Sequence, residues 1–166
     1  EVEEQAGCAM IGRPHIAAVL LDKGYVKTIK DAFARYIGQG APAYVRKDNL
    51  PPEQAIAAIH DAGGVASLAH PIQLRYADHA DLQQIVGRLA DAGLDALEVC
   101  HSDHTPSLVE RYRQLADRFE LAYTGGSDFH GERKDIQLGC QPVPGEWLAA
   151  LDDRRARMRE QPISDR

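Results

Sequence analysis

The sequence predicts an α/β fold of parallel βα units, and three observations carry the prediction. Short apolar runs at residues 64–69, 95–100 and 121–124 alternate with amphipathic segments of helix length. That alternation marks a parallel sheet with crossover helices. Glycines at 63 and 93 stop the helices before the first two runs. Each run also leads into polar donors: His70, His101, and the pair Asp128 and His130. The 166 residues suit one ordinary domain. A complete (β/α) barrel needs about 250 residues, more than this chain holds.

The elements follow in order. Pro14 begins a helix, since proline is tolerated at the first helical positions, and Gly24 ends it. Thr28 reads as an N-cap with Asp31 three residues on. Ile29, Ala32, Phe33, Tyr36 and Ile37 then form one apolar helical stripe, closed by Gly38 and Gly40. Pro51 and Pro52 open a helix that runs to Gly63. The first strand ends at His70-Pro71, and Leu82, Ile85, Val86 and Leu89 mark the helix behind it. The second strand ends at His101, and Thr105-Pro106 starts a helix facing inward with Leu108, Val109, Tyr112 and Leu115. The third strand leads into Gly125-Gly126-Ser127-Asp128-Phe129-His130. A last helix starts near Glu146 and gives way to a polar, frayed tail beyond Asp152. Residues 1–62 thus read as a helical segment or insertion, 63–150 as the βα units, and 151–166 as a polar tail.

With 44% hydrophobic and 27% charged residues, the chain is neither disordered nor membrane-embedded. The net charge of −6 disfavours duplex DNA as a partner. An anionic substrate then calls for metal ions or a few placed arginines. Cys8, Cys100 and Cys140 are widely spaced and form no CxxC pair, which points to a reduced, cytoplasmic compartment. No signal peptide and no membrane span is legible. The first methionine is Met10, so the chain is expected to be part of a longer polypeptide.

Ligands of parallel α/β folds bind at the carboxyl ends of strands. A single histidine there is usually structural, but donors at all three strand ends converge on one edge. Asp128 and His130, two apart, project to one side of an extended segment. Imidazole and carboxylate together suit Zn, Mn or Fe, so His70, Asp128 and His130, with His101 added on geometry alone, are the candidate metal ligands. Arg13 and His15 flank Pro14 at a helix start, either as surface groups or as an anion site. Arg75 can reach the same edge as His70. His104 is a turn residue or a substrate contact. His60 and His79 read as surface residues. No GxSxG elbow and no P-loop occurs.

Three motifs are recognisable together: Gly12-Arg13-Pro14-His15-Ile16-Ala17, Ala69-His70-Pro71 and Gly126-Ser127-Asp128-Phe129-His130. Over residues 12–140 the chain resembles the C-terminal part of a PHP-domain (polymerase and histidinol phosphatase) phosphoesterase. It is nearest to the branch of 3′,5′-nucleoside bisphosphate phosphatases and 5′–3′ exoribonucleases. The resemblance implies a partial, distorted (β/α)7 barrel with a helical insertion. It also implies two or three divalent metals, manganese, iron or zinc, in the complete site. His70, Asp128 and His130 then take metal and catalytic roles, while Arg13, His15, Arg75 and His104 face the substrate phosphate. The implied reaction is attack of metal-activated water on phosphorus. Asp128 orients that water, and His130 either binds metal or protonates the leaving alkoxide. The substrate is a phosphorylated nucleotide or a short RNA.

The family's opening HxH strand, a further His and a Glu ligand are not in this sequence, so the N-terminal half of the barrel is expected in a parent chain. The competing reading is a truncated or degenerate PHP module without catalysis, serving as a binding or structural part. Either way, three strands alone leave open edges, and the isolated chain is expected to associate.

Overall fold

The computed structural model describes residues 1–7, 11–46, 49–131 and 136–160. Cys8 and the tail positions 161–166 lie outside the described residues. The chain divides into two units, Glu1–Asn49 and Leu50–Arg166. The helix that the sequence grouped with residues 1–62 therefore falls in the second unit.

The first unit is helical. It holds α1 (Val2–Ala6), α2 (Arg13–Asp22) and α3 (Ile29–Ala32). Thr28 caps α3 as expected, its hydroxyl accepting the Asp31 N–H at 3.0 Å. The stripe expected as one helix to Ile37 changes pitch: Phe33–Ile37 forms a π-turn, closed by the Gly38 N–H donating to the Phe33 carbonyl at 2.7 Å. Side-chain periodicity cannot tell a π-turn from a continuing α-helix over one turn. Ala17, Val26, Ala32 and Ile37 form this unit's buried core.

The second unit is the α/β part. Its elements are α4 (Pro52–Asp61), β1 (Ser67–Leu68), a 3₁₀ turn (Pro71–Gln73), α5 (His79–Asp91), β2 (Ala96–His101), α6 (Pro106–Arg118), β3 (Ala122–Gly126) and α7 (Gly145–Glu160). The strands form one parallel sheet in the order β1-β2-β3. This bears out the mixed α/β class. The first strand is shorter than expected, the second ends at His101 as expected, and the third runs on to Gly126. The last helix does not fray after Asp152 but continues to Glu160. Arg154 and Arg155 hold it down by donating to the carbonyls of Glu120 and Gly63.

The two faces of the sheet differ. Leu97 and Val99, both at 0% exposure, join Leu82 and Val86 of α5 and Tyr112, Leu115 and Ala116 of α6 in the main core. Ser67, Ala96, Glu98 and Thr124 share the other face by register. There the Ser67 and Thr124 hydroxyls meet at 3.0 Å across the intervening strand. Outer strands of a flat three-stranded sheet stand about 10 Å apart. Contact between their short side chains therefore requires the sheet to curl toward this face, over the small side chain of Ala96.

His60 is not a surface residue. Its Nε2 lies 2.8 Å from Asp95 Oδ2, and the same oxygen accepts the Ala66 N–H at 2.8 Å. This pair ties α4 to the first two strands.

The register shifts between Glu98 and Cys100, where β2 carries a bulge against β3. Gly125 is required opposite it. A Cβ at 125 would lie 2.8 Å from both the Cβ and the carbonyl oxygen of Cys100, and 3.0 Å from Val143. Gly125→Ala is therefore expected to cost about 1–3 kcal/mol, as overpacking does, with backbone displaced at the bulge. Urea unfolding checks this; an unchanged midpoint would contradict it.

Candidate active site at the strand ends

The carboxyl ends of the three strands are built from main-chain features. His70 follows β1 with φ 32° and ψ 62°, and Asp128 follows β3 with φ 53°. Among the described residues only Glu120 joins them as a non-glycine residue with positive φ. Left-handed backbone costs most residues on the order of 1–3 kcal/mol and gathers at functional sites. Two of the three predicted ligands thus sit in left-handed backbone, which Asp and His adopt more readily than most residues.

Glu98 reaches across from β2, its carboxylate accepting the His70 N–H. Its other oxygen faces β3, 3.7 Å from where a Cβ on Gly126 would stand. The sequence reading passed over Glu98 as a site residue. The available signal was an acid in the middle of a strand that is otherwise apolar. The bulge lets Glu98 and His101, three residues apart, both meet residue 70. The His101 ring lies edge-on to the His70 ring at 5.9 Å between centroids. His101 is fully buried and its Nε2 lies 3.5 Å from Asp128 Oδ2. The His104 ring stacks next, 5.1 Å from His101 and 4.7 Å from Tyr112.

Main-chain partners sort these imidazoles by tautomer, because an amide N–H can only donate and a carbonyl can only accept. His130 Nδ1 donates to the Asp128 carbonyl at 2.7 Å, and His104 Nδ1 donates to the Val99 carbonyl at 3.0 Å. When neutral, both rings therefore keep an Nε2 lone pair. For His130, more than half exposed, this is the tautomer a metal ligand needs. His101 Nδ1 instead accepts the Asp103 N–H at 3.0 Å. His15 in the first unit does the same with the Gly12 N–H at 3.0 Å. When neutral, those two rings carry their proton on Nε2. A donor there at the start of α2 suits an anion better than a metal.

Arg13, first residue of α2, lines an open cleft of about 990 Å³ within the first unit. Its guanidinium lies over the rings of Phe33 and Tyr44, at 5.9 and 5.6 Å. Arg75 is exposed between the 3₁₀ turn and α5. The structure thus brings His70, Glu98, His101, Asp128 and His130 to one sheet edge, with His104 behind them. Among the described residues, no three His, Cys, Asp or Glu side chains are placed to hold one metal ion. What the edge offers a divalent metal is the Asp128 carboxylate, whose Oδ1 lies 3.6 Å from His130 Nδ1, and the Nε2 of the exposed His130 ring; carboxylate and imidazole fit a divalent metal chemically as part of a donor set.

Burial holds the His104 imidazole below its ordinary pKa; the Val99 carbonyl opposes this and the His101 ring adds to it. A histidine with a lowered folded pKa leaves the unfolded state binding more protons. Stability then rises with pH across the window just below the ordinary histidine pKa. The thermal midpoint should drop between pH 7.5 and 5.5, and His104→Asn should make that drop smaller. Equal drops in both proteins would contradict it.

No family model matches the chain. Curated relatives do. A 3′,5′-nucleoside bisphosphate phosphatase of Chromobacterium violaceum is 31% identical over 151 residues, 86% of this chain and 53% of the relative. The 5′-3′ exoribonuclease Rnm of Escherichia coli is 34% identical over 153 residues, 92% of this chain and 50% of the relative. The crystal structure of a Bifidobacterium adolescentis protein assigned as a metal-dependent phosphoesterase matches with a TM-score of 0.69 and 32% identity, over 94% of this chain and 53% of that one. The chain spans about half the length of the curated relatives it matches. No described helix is long and apolar enough to cross a membrane.

Proposed function

Taking the chain as a homologue of PHP-family nucleotide phosphoesterases over about half their length, we propose that it forms the C-terminal part of a metal-dependent phosphoesterase. The enzyme hydrolyses phosphate esters of a 3′,5′-bisphosphorylated nucleoside or of a short RNA. The observation that carries this reading is the convergence of His70, Glu98, His101, Asp128 and His130 on the carboxyl edge of one parallel sheet.

In this reading residues 63–150 are the last βα units of a distorted (β/α)7 barrel. The curl that brings Ser67 to Thr124 supports it, since closing a barrel needs the sheet to bend toward its interior. Residues 1–62, whose last helix belongs to the second unit, are the helical insertion. Asp128 and His130 hold a divalent metal, manganese, iron or zinc, and His70 supplies a further ligand. The remaining donors come from the portion of the relatives that this chain does not match. The metal supplies Lewis acidity and an activated water. Asp128 would orient the attacking water, and His130 would either bind metal through the Nε2 lone pair of its neutral ring or, when Nε2 is protonated, pass that proton to the leaving alkoxide. Glu98 fixes the backbone turn at residue 70. Within the first unit Arg13 and the His15 Nε2–H suit a phosphate group, and within the second unit Arg75 does. His104 contacts the substrate side. The compartment is the reducing cytoplasm.

The experiment is phosphate release from 3′,5′-bisphosphorylated adenosine and from short 5′-phosphorylated RNA, using full-length protein loaded with manganese. Release from either supports the reading, and the preferred length separates phosphatase from exonuclease. No release with metal bound would sink it. The lack of a three-donor cluster among the described residues favours one second reading, a module that binds without catalysing. Fewer than two tightly bound ions per full-length protein would support that one.

A further inference from the structure

The sequence placed His101 among the metal ligands on geometry alone; its hydrogen bonds argue for a different task. We propose that His101 is a positioning residue, which holds the Asp128 carboxylate with its Nε2–H and binds no metal itself. This rests on the reading of Asp128 as a ligand and deepens it.

Three observations support the assignment. His101 Nδ1 is taken by the Asp103 N–H at 3.0 Å, and a ring nitrogen that accepts from an amide has its lone pair engaged. The Asp103 carboxylate stands 3.8 Å from the same nitrogen, beyond hydrogen-bond reach, and on an exposed side chain. His101 Nε2 is buried with no hydrogen-bond partner of standard geometry among the described residues. It faces Asp128 Oδ2 at 3.5 Å. Among the described residues a donor buried there has no better acceptor. Such contacts are often long before ligands bind and tighten afterwards. A metal at Nε2 would need that proton expelled while Nδ1 still receives one, leaving an anionic ring in a buried place. His130 has the opposite wiring and the opposite task.

The test is a long-range ¹H–¹⁵N correlation of the protein labelled at histidine. Without metal, His101 should carry its proton on Nε2 and His130 on Nδ1, and Asp128→Asn should move the His101 Nε2 resonance while leaving that of His15 in place. With manganese or zinc titrated in, His101→Gln, which keeps an N–H donor near the Nε2 position, should hold affinity within about threefold. His101→Ala should lose about 10–100-fold, as removal of an outer partner does. A proton on Nδ1 of His101, or equal losses from Gln and Ala, would overturn the proposal. The tautomer readout needs neither metal nor turnover, so it decides the role of His101 even where the phosphoesterase reading fails.

Discussion

Asp128→Asn is expected to lower phosphoester hydrolysis by more than about a hundredfold while the protein stays folded. The two halves of that expectation have separate causes. Asparagine tolerates left-handed backbone as aspartate does, so the φ of 53° at residue 128 survives the change. It keeps the shape of the side chain and removes only the charge. Under the proposed function, that charge is what a divalent metal and the attacking water would need from this position. Loss of an outer partner costs about 10–100-fold in metal affinity or activity, and loss of the ligand itself exceeds that. Steady-state phosphate release and calorimetric metal titration measure both quantities. A variant within threefold of the wild type in kcat/KM would remove Asp128 from the chemistry.

The largest expected loss of stability is at Leu97, near the start of the central strand β2. Its side chain is fully buried within the core shared by α5 and α6. Leu97→Ala removes three carbons where strands on either side prevent collapse. The cost is about 2–5 kcal/mol from lost transfer energy and the cavity left behind. At roughly 2–4 °C per kcal/mol for a chain of this size, the thermal midpoint falls by about 4–20 °C. Leu148, 63% exposed on α7, is the control, and its alanine variant should stay within about 0.5 kcal/mol. Equal effects at the two leucines would mean that the sheet is not the core.

Much of this architecture was legible in the residues. Glycines 24, 63 and 93 stop helices through positive φ, Thr28 caps as its spacing indicates, and the apolar runs at 95–100 and 121–124 become neighbouring parallel strands. These are local signals: caps, stops and side-chain periods lie within a few residues of one another. What stayed hidden depends on partners distant in sequence. The bulge in β2 exists only relative to β3. Glu98 becomes a site residue because His70, 28 positions earlier, turns its N–H toward it. His60 looked like a surface group because Asp95 lies 35 positions away. The strand-end donors His70, His101, Asp128 and His130 could be named from the sequence. Their tautomers could not, since these depend on which main-chain group each ring meets.

The central claim is that the carboxyl edge of this sheet is a metal-dependent phosphoesterase site, and the most direct measurement is anomalous diffraction from manganese-loaded crystals of the full-length protein. The account predicts anomalous density coordinated by the Asp128 carboxylate and His130 Nε2, with no bond to His101. Manganese bound elsewhere in an active crystal, with the strand ends left bare, would contradict it.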